Sequence, residues 1–433
     1  MFGTDMTIGA DTALHRITEA IDAISSTASS HQRTFVIEVM GRHCGYLALM
    51  SALATGAHWV FIPESPPAVD DWATTMSANL RAGRAMGRRS NIVVVAEGAH
   101  DRHGQPITSA DVQKALEEGL GDEARVTILG HVQRGGTPSA FDRYLSSVLG
   151  YAAVETVLEQ DPSAEPLMIG IRQNAIVKSP LMETVEKTRS MPEVIKAGEY
   201  EKAMEMRGGS FGEAFRHLRT LLRAAPHDPP DGHRPLRLAI MHGGGPSPGM
   251  NTAVRTAVRL GIDHGHTILG VRNGFEGLLA GDVVEMEWMT VDGWVSRGGA
   301  ELGTSRFVPR DRDVPRISEQ IRELKLDGLL VIGGAAGYES AYRIFRQRAE
   351  DKALRIPIIC LPATINNDLP GTQNSVGADT ALNSIVTNVD KIKQSAVACQ
   401  RCFVVEVMGH DCGFLSLFGG CLLYTSDAAD ELR

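Results

Sequence analysis

With 433 residues, 43% hydrophobic and 22% charged, the chain has material for two or three domains with sizeable cores, and its composition excludes a disordered polymer. The formal charge of -9 argues against nucleic acid or an anionic membrane as the main partner, yet leaves room for small anions held by a few convergent arginines. No run approaches ~18 uninterrupted apolar residues, so no membrane span is expected, and the early acids Asp5, Asp11, Glu19 and Asp22 do not fit a signal peptide.

In chain order, the first strand candidate is FVIEV at 35–39, a branched-apolar run suited to a buried parallel strand. Arg33 stands before it, and Met40, Gly41 and Arg42 follow it. That places a glycine and an arginine at a carboxyl end, where open α/β sheets hold ligands. NIVVVAE at 91–97 ends in the same way on Glu97, a carboxylate suited to accept sugar hydroxyls. Arg125 heads RVTILGHV, and residues 130–143 read GHVQRGGTPSAFDR. There His131 and Arg134 can face one pocket across a tight turn, while Gly135 and Gly136 let backbone approach a ligand. A guanidinium fork matches phosphate oxygens, and a histidine adds a donor. Each motif alone could be structural: a surface charge, a helix cap, or an Arg/His pair over a glycine turn. Three strand-end sites in one half favour a phosphosugar pocket, with Arg42, Glu97, Arg125, His131 and Arg134 converging on one cleft.

Residues 224–235, AAPHDPPDGHRP, read as a linker between a first half, 1–223, and a second, 236–420. The strand LRLAIMH leads into MHGGGPSPGMN at 241–251, where Gly244 and Gly245 could cradle phosphate with backbone N–H groups or simply make a turn. LDGLLVIGG and PIICLPA are further strand candidates. ISEQIRELK and ESAYRIFRQRAE carry apolar residues at helical spacing. The alternation indicates an α/β fold of doubly wound parallel sheets.

The chain matches itself at an offset of 368 residues: 3–49 against 371–417, with 24 of 47 positions identical without gaps. GTDMTIGADTAL becomes GTQNSVGADTAL, and QRTFVIEVMGRHCGYLAL becomes QRCFVVEVMGHDCGFLSL. A period this long means two copies of a whole domain, not a solenoid. The second copy has PIICLPATINNDLP before its GT, which the first lacks, so the first is expected to be missing its opening part. Past Gly420 the repeat collapses into CLLYTSDAADELR, so 421–433 is expected to be a non-native tail and each half to be incomplete. The cysteines (44, 360, 399, 402, 412 and 421) show no zinc-ligand spacing beyond a single C-x-x-C, and suit a reducing, cytoplasmic setting.

GTDMTIGADTAL, EVMGRHCGY, VVVAEGA and LGHVQRGGTPSAFDR together resemble the 6-phosphofructokinase family in its long, duplicated form, over residues 3 to about 420. The resemblance implies transfer of phosphate from ATP, with Mg2+, to the 1-hydroxyl of fructose 6-phosphate. It implies that Arg33, Met40, Gly41, Arg42, Glu97, Arg125, His131 and Arg134 hold that sugar. Residues matching Arg33 and Arg125 reach across from a neighbouring half or subunit, which implies a homo-oligomer, tetrameric in the family. The family's base lies in a T-I-D-N-D motif before the GTD, absent from the first half, so no catalytic residue is expected in this chain.

By the same resemblance GGAELGTSR makes Arg306 a phosphate arginine. In VIGGAAGYES, Ala335, Ala336 and Gly337 replace Asp, Gly and Ser, and magnesium prefers carboxylates. Pro246 replaces an Asp of the first glycine loop, and Asn366 in PATINND takes the base position, where an amide cannot serve. Gly244, Gly245, Gly333 and Gly334 then form a degenerate nucleotide loop. Arg306, Thr364, Asn366, Asn367, Arg401, Met408 and Gly409 would line an effector site for a sugar bisphosphate such as fructose 2,6-bisphosphate. His410 departs from the arginine expected after Met-Gly. The 433 residues as given are expected not to turn over. A pyrophosphate-dependent phosphofructokinase and a non-catalytic phosphosugar-binding regulatory subunit are the alternatives.

Overall fold

Runs of valine and isoleucine bury themselves best as central strands covered on both faces, and the valine-rich segments here do so. In a computed structural model, residues 2–423 apart from 32, 122, 230 and 231 are described. The tail expected at 421–433 lies outside the residues whose side chains are described. The chain divides into two compact units between Ala225 and Pro226.

In the first unit, β1 (Thr34–Val39), β2 (Trp59–Phe61), β3 (Asn91–Ala96) and β4 (Ala124–Ile128) make one parallel sheet in the order β2-β3-β1-β4. Alternate residues of each strand feed opposite cores, as the period of two requires. Ile37, Val39, Ile92 and Val94 pack with α1 (Ala10–His31), α2 (Tyr46–Thr55) and a later helix around Ile17, Leu49 and Leu218. Val36, Val93 and Val95 pack on the other side against α3 (Trp72–Ala85) and α4 (Ser109–Leu120). α4 starts where it does because Thr108 and Asp111 form a reciprocal capping box. Next comes α5 (Ala140–Glu159), opened by Ser139 accepting from Asp142 N–H. The antiparallel pair β5 (Leu167–Arg172) and β6 (Ala175–Pro180) turns at Gln173–Asn174, both at positive φ. α6 (Leu181–Lys196), α7 (Tyr200–Arg207) and α8 (Gly209–Leu221) complete the unit, and Leu218 of α8 reaches the core already named.

The second unit holds β7 (Arg237–Gly243), β8 (Thr267–Val271), β9 (Val283–Met286), β10 (Gly328–Gly333) and β11 (Ile358–Pro362), in the order β11-β10-β7-β8-β9. Only β9 runs antiparallel among these described strands. Its helices are α9 (Met250–Asp263), α10 (Gly274–Ala280), α11 (Val314–Glu323), α12 (Ala335–Gln347), α13 (Ala378–Cys399) and α14 (Phe414–Leu423). Among the described residues no helix is long and apolar enough to cross a membrane.

The repeat is written into the elements. α13 and α14 have the bounds of α1 and α2 shifted by 368 residues. The segment between them departs from its twin: FVIEV is the centre of a sheet, whereas 401–409 forms no strand, and Val404 is 97% exposed. β1 exists because β3 and β4 satisfy its backbone on both sides. Among the described residues no strand lies beside 401–409 to do the same.

Candidate functional site

Parallel register brings the carboxyl ends of the first unit's strands to one edge. Glu97 N–H donates to the Val39 carbonyl at 2.9 Å, so Met40–Arg42 and Glu97 leave the sheet side by side. A side chain on Gly98 would start 1.8 Å from the Arg42 carbonyl, so only glycine permits this approach. Arg42 Nη2 lies 3.5 Å from Glu97 Oε1, with both side chains largely exposed. Such a pair is worth no more than ~1 kcal/mol, and either partner can turn to a ligand at little cost. Leu129 N–H donates to the Glu38 carbonyl at 3.1 Å, and the 3-10 turn Gly130–Arg134 then presents His131 and Arg134.

These residues border one cavity of about 960 Å³, whose lining includes Met40, Gly41, Arg42, Glu97, His131 and Arg134. That is at the upper end of the range for small-molecule sites, ample for a phosphosugar. Tyr46 and Cys44 also line it. Burial, then the nearby Asp11 carboxylate, pushes the Tyr46 phenol up to about 12, so it keeps its proton. Burial raises the Cys44 thiol as well, against the opposing pull of Arg207.

Arg33 and Arg125 are not brought there. Arg33 precedes β1 and Arg125 is the second residue of β4; they flank Glu123 at 3.5 and 2.5 Å. Convergence of Arg125 with Arg42, Glu97, His131 and Arg134 within one chain is therefore corrected. The head of a parallel strand lies at the opposite edge of the sheet, roughly 16 Å from its carboxyl end over five residues.

Two residues that hold this site together were missed. Gln133, 3% exposed, accepts Met40 N–H at 3.0 Å through Oε1 and donates Nε2–H to the Gly130 carbonyl at 3.0 Å, stapling the end of β1 to the 130–134 turn. Asp142 is buried and accepts from Gly9 N–H, Thr12 N–H and Thr12 Oγ1 at 2.8, 2.8 and 2.5 Å, while Ser139 Oγ donates to Asp11. Part of what makes GADTAL and TPSAFDR recognisable is thus mutual fastening. Their signal was the joint presence of short acceptors and hydroxyls in two motifs far apart in sequence.

In the second unit Gly244 and Gly245 follow β7, and Thr304 Oγ1 donates to the Gly244 carbonyl at 2.7 Å. Arg306 Nη2 stands 3.6 Å from where a side chain on Gly245 would begin. Gly333 ends β10, and Gly334, which precedes α12, faces Thr364. Asn366 N–H donates to Thr364 Oγ1 at 3.2 Å. Asn367 spends its side chain on its own loop, donating to the Gln373 carbonyl and accepting from Ser375 N–H, both at 2.8 Å. Met408 borders an apolar cavity of about 350 Å³ with Ile365 and Ile385, whose lining does not include Arg306. Gly409, at φ +153°, repeats Gly41 at +150°, and Arg401 is exposed just past α13. Ala335 and Ala336 open α12 where magnesium would need carboxylates, and among the described residues no three His, Cys, Asp or Glu side chains form a metal-holding group. These residues do not fit Mg2+.

A family model described as phosphofructokinase matches residues 1–157 and 237–428. An ATP-dependent 6-phosphofructokinase of Dictyostelium discoideum is 49% identical over 96% of this chain and 50% of its own length. The human liver-type ATP-dependent 6-phosphofructokinase is 48% identical over 99% of the chain and 54% of its own. Among solved structures, phosphofructokinase from Saccharomyces cerevisiae superposes with a TM-score of 0.93 at 40% identity, covering 98% of this chain and 56% of that one. The T-state enzyme of Pichia pastoris gives 0.92 at 40%, covering 97% and 48%. The chain spans about half the length of the curated relatives it matches.

Proposed function

We propose, from the premise that the chain belongs to the phosphofructokinase family, that its first unit is the fructose 6-phosphate half of an ATP-dependent 6-phosphofructokinase. The observation that supports this best is the single cavity shared by Met40, Gly41, Arg42, Glu97, His131 and Arg134. His131 and Arg134, on one turn, supply donors for the 6-phosphate. Glu97 accepts sugar hydroxyls, and Met40 and Gly41 shape the floor under the ring. Arg33 and Arg125, at the far edge of the sheet, suit the pocket of a neighbouring subunit in a homo-oligomer.

In the reaction the sugar's 1-hydroxyl oxygen attacks the γ-phosphorus, the bond to the β,γ-bridging oxygen breaks, ADP leaves, and the hydroxyl proton goes to a base. No residue of this sequence is assigned as that base, since Asn366 is an amide. ATP rather than pyrophosphate is the donor that the names of the relatives favour. The second unit is read as an effector half, with Arg306, Gly244, Gly245, Gly334 and Thr364 nearest to forming a phosphate site, and Asn366, Asn367, Arg401, Met408 and Gly409 as further candidates. A cytoplasmic location suits the free thiols.

Ligand-observed NMR tests the acceptor reading: fructose 6-phosphate gives a saturable signal and unphosphorylated fructose none, whereas equal response to both would contradict it. A coupled ADP-release assay tests the missing base. Neither the chain nor its Asn366→Asp variant reaches ~1 s⁻¹, the low end for kinases, and saturable turnover above that would show a working donor site.

A further inference from the structure

The turn that carries Gly41 and Arg42 is held from behind by two charged groups with no assigned role. Glu64, just beyond β2, is fully buried, and its two carboxylate oxygens accept Gly45 N–H at 3.1 and 2.9 Å. Arg207, the last residue of α7, donates Nε–H to Glu64 Oε1 at 2.7 Å and Nη2–H to the His43 carbonyl. One guanidinium therefore fixes the backbone at 43 directly and at 45 through a carboxylate. There is little room for slippage: a side chain on Gly45 would start 2.5 Å from Ile62 and 2.7 Å from Glu64, and Gly98 closes the opposite flank. Arg207 is itself 12% exposed in its side chain and borders the cavity that Arg42 and Arg134 border. Its place is set by α8, which follows immediately and anchors Phe211 and Leu218 in the core.

We propose that Arg207 is a positioning residue of the sugar-phosphate pocket, acting through Glu64 and the His43 carbonyl to set the turn from which Gly41 and Arg42 meet the ligand. The proposal rests on the reading of that cavity given above. Arginine is needed because its planar fork serves two acceptors at a fixed angle, whereas an ammonium is a point charge. Without Arg207, Glu64 is a buried carboxylate with no counter-charge; it draws in water or a proton, and the turn loses its fixed backing. Loss of one well-placed charge-assisted contact to the phosphate costs about ten- to a hundredfold in affinity.

The test combines amide hydrogen exchange over 41–46 with calorimetric affinity for fructose 6-phosphate, in Arg207→Met, Arg207→Lys and the double variant Glu64→Gln/Arg207→Met. Arg207→Met speeds exchange over 41–46 about tenfold or more, leaves β1 and β3 protected, and weakens the sugar phosphate about ten- to a hundredfold. Arg207→Lys recovers part of that loss. The double variant, which removes the stranded charge, recovers the thermal midpoint but not the affinity; recovery of both would reduce Arg207 to a purely structural residue and overturn the proposal. Wild-type exchange over 41–46 in folded Arg207→Met overturns it too. If that variant does not fold, the lysine and double variants carry the same comparison. Absence of sugar-phosphate binding by the unaltered chain would sink the pocket reading instead, and the exchange rates alone would then decide whether Arg207 sets the turn.

Discussion

Asp142 shows how a side chain in a ligand-like motif can serve the scaffold. Its carboxylate satisfies three donors around the start of α1, two of them backbone N–H groups. Asp142→Ala leaves these three part-buried donors without their acceptor, at a cost of about 2–3 kcal/mol. In a unit of this size that lowers the melting temperature by roughly 5–10 °C, readable by circular dichroism. Met40, Gly41, Arg42, Glu97, His131 and Arg134 were legible as candidates because each lies within about five residues after an apolar run, and a parallel sheet gathers such ends. Arg125 was misplaced because its motif, RVTILGHV, has charge at its head and ligand residues at its tail, and letters alone give both equal weight. Gln133 was not legible: its partner Met40 is 93 residues away, and the bond exists only after β1 and β4 pair.

At the scale of elements, short branched-apolar runs identified β1, β3, β7, β10 and β11, while the three-residue β2, the hairpin β5–β6, and β8 and β9 were too short or too mixed to stand out. In 401–409 the letters that make β1 make no strand, because a strand also needs neighbours to satisfy its backbone. Val36 is fully buried, and its repeat partner Val404 is 97% exposed. Val36→Ala should cost about 2 kcal/mol and Val404→Ala within about 0.5 kcal/mol of nothing, measured by urea denaturation. Equal costs would mean that 401–409 is paired in solution. β7 adds a pH dependence. His242, at its carboxyl end, has no exposure, donates Nδ1–H to the Gly303 carbonyl at 3.1 Å, and is pushed below the ordinary 6.5 chiefly by burial. The neutral ring is favoured in the folded state, so its contribution is complete above pH ~6.5 and is lost as the unfolded chain takes up the proton below it. The melting temperature of the second unit should therefore fall from pH 7.5 to 5.5, and His242→Asn should flatten that slope.

The whole molecule is a duplicated design in which the two copies kept different things. The first unit keeps a strand-end edge of cations and one carboxylate, proposed above as a sugar-phosphate pocket; the second keeps glycine turns and Arg306, with Ala335 and Asn366 where the family resemblance expects carboxylates. On the proposal above, one strand-end cavity in the first unit binds fructose 6-phosphate through Arg134 and its neighbours. Isothermal titration of fructose 6-phosphate into the unaltered chain and into Arg134→Ala tests it most directly. Saturable binding at one site per chain is expected, weakened about tenfold or more by loss of one charge-assisted phosphate contact of ~1.5–3 kcal/mol. Absence of saturable heat, or equal affinity in the variant, would contradict it.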